Sequence, residues 1–294
     1  MEIFNTKIRA FDINDVLPDI ERPHAIVVLR PWIDVGNIGT LALSRIERHL
    51  KSEEIGRLAA PGTFYDFTRY RPRSYFNEGI RQVNVPNTTI RCSTVSNGPS
   101  LITIHLLEPQ LYGEEFTDSV IELIKWLKVE RYCLIGGMYD MVPHTRPLLV
   151  SGLGNGGTVK EEQLKMGVQQ STYEGPTTIT YLVSQEAERI GIETRTFVAH
   201  LPQYLDIEDD FVGTAKLVEI LCNLYELPEH LIDKQKGSDQ YAKLQDTVET
   251  TEGMTELMQK LEERYDNSLT DESNSLTQLS PDIEKFLREL GEDI

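Results

Sequence analysis

The chain has 294 residues, of which 39% are hydrophobic and 26% charged, and its formal net charge is −18. This length and composition suit one large α/β domain or two small ones, with enough apolar material for a sizeable core. The acidic balance argues against nucleic acid as a partner, because phosphate contacts need clustered Lys and Arg.

The N-terminal MEIFNTKIRAFDIND has no basic segment followed by an apolar one, so no secretory signal is expected. No stretch approaches the ~20 apolar residues of a membrane helix. AIVVLR (25–30) is a continuous apolar run, which reads as a buried strand. VGNIGTLALSRIERHLK (35–51) follows with Ile38, Leu41, Leu43, Ile46 and Leu50 near helical spacing. GIRQVNVPNTTIRCSTVS (79–96) reads as a β-hairpin around Pro86-Asn87. SLITIHLLEP (100–109) is another apolar strand. EEFTDSVIELIKWLK (114–128) carries Phe116, Val120, Leu123, Ile124 and Leu127 on one helical face. RYCLIGG (131–137) and PLLVSGL (147–153) read as strands, and the glycine-dense SGLGNGGTV (151–159) as a flexible loop.

TTITYLVSQEAERIGI (177–192) predicts a helix capped by Thr177 or Thr178 and ended at Gly191. TRTFVAHLP (194–202) predicts a strand, and DDFVGTAKLVEILCNLYEL (209–227) a helix opened by acidic residues. Alternating strands and helices, with strands that are apolar throughout, imply a sheet covered on both faces. The expected architecture is a three-layer α/β/α sandwich over residues 1–235. Residues 236–294 are expected to be an acidic helical extension, with amphipathic segments at 255–265 and 280–290. From Asp246 to Ile294 there are fourteen acidic residues against four basic ones.

Four groups of residues invite a functional reading. Gly36 and Gly39 in PWIDVGNIG stand between a strand and a helix, where backbone N–H groups can hold an anion. The competing reading is a tight turn with close helix–sheet packing. Gly136 and Gly137 precede Asp140, His144 and Arg146, in which Asp140 and His144 could form an acid/base pair. Alternatively, Asp140 accepts bonds from nearby backbone or from Arg146 and fixes a corner.

FYDFTRYRPRSYF (64–76) interleaves aromatic and Arg residues, a mixture enriched at protein interfaces, and marks Phe64, Tyr65, Phe67, Arg69, Tyr70 and Arg71 as candidate contact residues. Buried packing is the alternative. Glu108, Glu114 and Glu115 fit a helix N-terminus without further purpose. The histidines lack zinc-type spacing, and Cys92, Cys133 and Cys222 lie far apart, as in a reduced cytoplasmic protein. No metal or cofactor is expected.

PWIDVGNIGTLAL, LAAPGTFYDFTRYRP, LEPQLYGEEFTDSVIELIKWL, RYCLIGGMYDMVPHTRPLLVSG, YEGPTTITYLV and FVAHLPQYLDIEDDF together resemble the PAC2 family over about residues 25–230. That family is named after a proteasome assembly chaperone subunit and is also grouped under an ATP-grasp-like superfamily. The resemblance implies a phosphorylase/hydrolase-like α/β/α sandwich, self-association into a homo-oligomer, and protein partners such as proteasome subunits. Some members dock a C-terminal hydrophobic–Tyr–any-residue tail between proteasome α subunits, whereas this chain carries Asp293 in the tyrosine position. Two readings stand: a non-catalytic oligomeric scaffold of assembly-chaperone type, or a nucleoside- or ATP-dependent enzyme with a site around Gly136–Arg146.

Overall fold

A computed structural model describes residues 4–95, 98–251 and 253–268. Strands β1 (Phe4–Ile8), β2 (Phe11–Asn14) and β3 (His24–Arg30) lead to helix α1 (Ile38–Leu50) and strand β4 (Glu53–Leu58). Strands β5 (Arg73–Asn77), β6 (Ile80–Asn84), β7 (Thr89–Ser93) and β8 (Leu101–Leu107) follow, then helix α2 (Gly113–Trp126) and strand β9 (Arg131–Asp140). Next come β10 (Val150–Gly152), α3 (Gly157–Lys165), β11 (Val168–Gln170), α4 (Ile179–Arg189) and β12 (Glu193–Pro202). Helices α5 (Phe211–Tyr225), α6 (Lys234–Thr250) and α7 (Met254–Ser268) complete the described chain.

Ten strands form one sheet in the order β1-β2-β4-β7-β8-β3-β9-β12-β10-β11. Its centre, β8-β3-β9-β12, is parallel, and antiparallel strands extend it on one side from β7 to β1. Side chains alternate across a strand, so an apolar run must have cover on both sides. In β3, Ala25, Val27 and Leu29 join α2 and α4 in one core. Ile26 and Val28 join α1 and α5 in the other. This is the three-layer α/β/α sandwich. Among the described residues no helix is long and apolar enough to cross a membrane.

Several elements differ from the sequence reading. The hairpin is not centred on Pro86-Asn87: β6 pairs with β5 in a separate two-stranded ribbon, while β7 joins the main sheet. The reason is local. Glu78 and Gly79 both take positive φ (49° and 78°), the backbone a two-residue hairpin turn requires. The stretch 151–159 is no simple loop, because β10, α3 and β11 form a strand–helix–strand unit with β10 parallel to β11. Polar residues 234–250 form α6, whose first turn Asp233 caps by accepting the Lys236 N–H at 3.2 Å. Thr178 does precede α4, but its hydroxyl meets Thr180 Oγ1 at 2.5 Å and makes no cap bond. The segment 280–290 lies outside the described residues.

His24 opens β3 with its ring 5.7 Å from that of Tyr225 on α5. Burial, assisted by the Arg131 charge, lowers its pKa from the ordinary 6.5 to about 4. Between those values the unfolded chain binds a proton that the folded chain refuses, so stability falls as pH drops through this window. The His24→Phe variant should lose that part of the slope when urea midpoints are compared from pH 7 to pH 4. Parallel slopes for the two proteins would refute it.

Candidate functional site

The four candidate glycines meet at one crossing. After β3 the chain passes over the middle of β9, with Asp34 bridging Gly137 in parallel register and the Gly137 N–H donating to the Ile33 carbonyl at 2.8 Å. A Cβ on Gly136 would stand 2.0 Å from the Ile33 carbonyl oxygen, and one on Gly137 2.5 Å from Ile38 Cδ1. These glycines are therefore required by close approach. Gly36 has φ +61°, and its carbonyl accepts the Asp210 N–H at 2.9 Å.

The start of α1 does hold an anion, but one supplied by the chain itself. Asp34 Oδ1 accepts the Gly39 and Thr40 N–H groups at 2.7 and 3.2 Å, and Oδ2 accepts the Thr40 hydroxyl at 2.5 Å. Burial raises the Asp34 pKa, and these bonds oppose the rise. The Gly39 and Thr40 amides are thus occupied by the chain's own carboxylate.

Asp140, His144 and Arg146 do not converge. Asp140 Oδ1 accepts the N–H of its neighbour Met141 at 2.7 Å, in line with a corner, but Arg146 is not its partner. Arg146 instead forms a two-pronged pair with Asp266 of α7 at 3.0 and 2.8 Å and a further one with Glu262 at 3.2 Å. His144 is buried, with Nδ1 2.7 Å from the Tyr204 hydroxyl and Nε2 2.5 Å from Gln245 Oε1 of α6. Burial raises the Tyr204 pKa further above its ordinary value. The segment 141–149 is thus the bed for the C-terminal helices: Met141 packs on Leu257 and Leu261, and Val142 and Leu149 on Tyr265.

The aromatic segment divides. Phe64 and Tyr65 are buried in the core and cannot be contact residues for a partner, which corrects the sequence reading for both. Phe64 meets the Phe116 ring edge-on at 5.2 Å, and the Tyr65 hydroxyl lies 2.5 Å from Thr88 Oγ1. Tyr70 is half-buried and donates its hydroxyl to the Glu108 carbonyl at 3.1 Å. Phe67, Arg69 and Arg71 are exposed.

Sequence reasoning singled out Asp140 but missed the two side chains it stands with, His200 and Ser151. The register of β9 with β12 sets His200 opposite Met138, and that of β10 with β12 sets Ser151 opposite Val198. Asp140, His200 and Ser151 consequently share one face of three adjacent strands. His200 Nδ1 lies 2.7 Å from Asp140 Oδ2, and Nε2 lies 2.8 Å from Ser151 Oγ. Ser151 and His200 line a cavity of about 500 Å³ at the carboxyl-terminal half of β9 and β12, between the sheet, the loop 171–178 and α4. Trp32, Leu153, Tyr173 and Tyr181 are among its lining residues and are all exposed. Lys and Arg are absent from its lining among the described residues. The described residues also contain no cluster of three or more His, Cys, Asp or Glu side chains suited to a metal ion.

Such a mixed sheet, parallel at its centre and covered by helix pairs, defines an α/β/α sandwich with a cleft at its strand ends. The PAC2 family model matches residues 28–242, and the chain belongs to that family. The fold is shared with a PAC2 family protein from Streptomyces avermitilis at 23% identity, covering 80% of this chain and 99% of that one with a TM-score of 0.70. It is shared too with a proteasome-assembly chaperone homologue from Mycobacterium tuberculosis at 21% identity (79% and 99% coverage, TM-score 0.69). PbaB of Pyrococcus furiosus, described as an archaeal proteasome activator, aligns at 15% identity (82% and 98% coverage, TM-score 0.60). A search of curated proteins finds no match.

The crossing gives a direct test. Gly136→Ala forces a methyl against backbone that cannot swing away, and should lower the unfolding free energy by about 3 kcal/mol, the upper part of the usual overpacking range. Denaturant titration reads this, and a neutral effect would contradict the close approach. Arg146→Ala should leave the body's unfolding midpoint nearly unchanged while speeding proteolytic cleavage around α7. Unaltered cleavage would mean that the Asp266 and Glu262 pairs do not hold that helix.

Proposed function

We propose that the chain is an assembly-chaperone-like scaffold that works by contact with copies of itself and with other protein chains in the cytoplasm. Proteasome subunits are the partner class suggested by the names of its structural relatives. In this reading residues 1–235 form the contact body and the acidic residues 236–294 extend it. The role asks for no bond-making step.

The observation that carries the reading is the β5–β6 ribbon. It forms a sheet of two strands outside the main one, and its residues are almost all exposed. Phe76 and Val83 lie on one face of the ribbon and Tyr75 and Ile80 on the other, all four exposed. An isolated two-stranded hairpin is at best marginally stable in water. Apolar side chains on both of its faces gain from insertion against another chain, at about 25 cal/mol per Å² buried. Exposed Phe67, Arg69 and Arg71 precede the ribbon and would extend the same surface.

The nucleoside- or ATP-dependent alternative is not favoured. Its residues point to different partners, and the cavity of about 500 Å³ lined by His200 has no Lys or Arg among its described lining residues to meet a polyphosphate. The sandwich fold does not by itself imply a nucleoside- or ATP-dependent activity.

The test is sedimentation velocity over a concentration series. Wild-type protein should self-associate, and the Phe76→Ser/Val83→Ser variant should remain monomeric with an unchanged unfolding midpoint, because both side chains are already in solvent. A wild-type chain that stays monomeric throughout, or a variant that associates equally well, would remove the support for the ribbon as a contact arm.

A further inference from the structure

We infer that Ser151, His200 and Asp140 form a nucleophile relay, and that the cavity above them accepts a small uncharged acyl ester or thioester. This goes beyond the scaffold reading and does not depend on it.

The hydrogen-bond partners fit one neutral tautomer of His200. Asp140 Oδ1 is engaged by the Met141 N–H at 2.7 Å, which leaves Oδ2 facing His200 Nδ1 at 2.7 Å. With Asp140 as the acceptor, the neutral form of the ring carries its proton on Nδ1 and keeps its lone pair on Nε2. That lone pair faces Ser151 Oγ at 2.8 Å, so the serine hydroxyl is the donor. Its remaining lone pairs are left for the cavity that Ser151 lines. Nucleophile, base and orienting carboxylate within hydrogen-bond reach are the arrangement that activates a serine, whatever the fold around it. All three stand on paired strands, which hold them more tightly than loops would.

The cavity states the ligand class. At about 500 Å³ it suits a small molecule. Trp32, Leu134, Met138, Leu153 and Val198 make its walls largely apolar, which favours an acyl or aryl group. Glu174 is the one carboxylate in the lining, and without Lys or Arg among the lining residues an anionic ligand has no counter-charge. Thr178, Tyr181 and Ser184, from the cap and first two turns of α4, also line the cavity, so the positive end of that helix borders the space in which negative charge would develop on a carbonyl oxygen.

In the reaction, Ser151 Oγ bonds to the carbonyl carbon while its proton moves to His200 Nε2. The carbon–oxygen or carbon–sulfur bond to the leaving group then breaks, and the alcohol or thiol departs with that proton. Water repeats the sequence with His200 as base, which releases the carboxylic acid and restores Ser151. Asp140 is a positioning residue that fixes the imidazole tautomer.

The probe is phenylmethylsulfonyl fluoride, whose aryl group matches the cavity, applied to the full chain and read by intact mass and peptide mapping. A single adduct at Ser151 is expected, absent in Ser151→Ala and formed about 10²-fold more slowly in His200→Gln, the lower range for a lost general base. Asp140→Asn should slow it as well. A second measurement does not rely on those variants: in Ser151→Cys the new thiol should be the reactive one, since the native cysteines are all buried. Its alkylation by iodoacetamide should slow when His200→Gln is added. No adduct at Ser151 in the wild-type chain, an adduct only at other residues, or equal rates with and without His200 would each overturn the inference.

Discussion

The passage of residues 33–39 across Gly136 and Gly137 is the constraint on which the other parts rest. Two backbones meet there without a side chain between them, joined by the Gly137 N–H to the Ile33 carbonyl. The crossing delivers Asp34 to the first amides of α1, which satisfies donors that every helix start leaves open. It then hands on to α5, because the Gly36 carbonyl takes the Asp210 N–H and Asp210 Oδ1 in turn caps α5 through the Gly213 N–H at 2.7 Å. The other oxygen of Asp210 accepts the Tyr241 hydroxyl of α6 at 2.8 Å. Burial raises the Asp210 pKa, and those bonds oppose the rise. One run of hydrogen bonds thus ties sheet, two covering helices and a C-terminal helix together.

Over the carboxyl-terminal ends of β9 and β12 one face of the sheet is filled, while the other leaves a cavity. On the α1–α5 side, Ile38, Ala42, Leu43 and Ile46 fill the space over β3, β9 and β12. On the opposite side α4 begins only at Ile179, after the loop 171–178, and the strand ends lie beneath that loop. Trp32, just before the crossing, and Ile33 and Val35 within it line the resulting cavity. Polar groups placed on that floor are surrounded by low-dielectric walls, where hydrogen-bond geometry counts for more than in water. The chain from Asp140 through His200 to Ser151 has that setting, while the β5–β6 ribbon, the other unusual surface, stands in a separate sheet. The pocket and the exposed ribbon thus lie in different parts of one chain.

Much of the fold is legible because the physics is local. Strands β3, β8, β9 and β12 are built on runs of mainly apolar residues, and α1, α2 and α5 carry apolar stripes of helical period. For Gly36 and Gly39 close helix–sheet packing was one of the two readings the sequence allowed, whereas the close approach at Gly136 and Gly137 was not read from it. Helix α6 was not, because KQKGSDQYAKLQDTVET offers few apolar positions; Tyr241 and Val248 are buried by contact with the body. The ribbon was misplaced since Pro86-Asn87 is the louder turn signal, whereas Glu78-Gly79 supplies the needed backbone. The polar site was misread for a topological reason. Asp140 and His144 are close in sequence, but strand register turns Asp140 towards His200, sixty residues away, and His144 belongs to the bed of the C-terminal helices. The available signal was His200 itself, a lone imidazole inside the apolar run FVAHLP, which a central strand carries only with a partner.

Amide hydrogen exchange at Gly39, Thr40 and Gly137, followed with and without added phosphate or nucleotide, tests most directly whether the crossing is closed by the protein's own groups. These amides should exchange only as slowly as those in the middle of β3, through global unfolding, and no added anion should change their rates. Fast exchange at Gly39 and Thr40 that phosphate or nucleotide then suppresses would mean that the turn is open to a ligand, and would contradict the account.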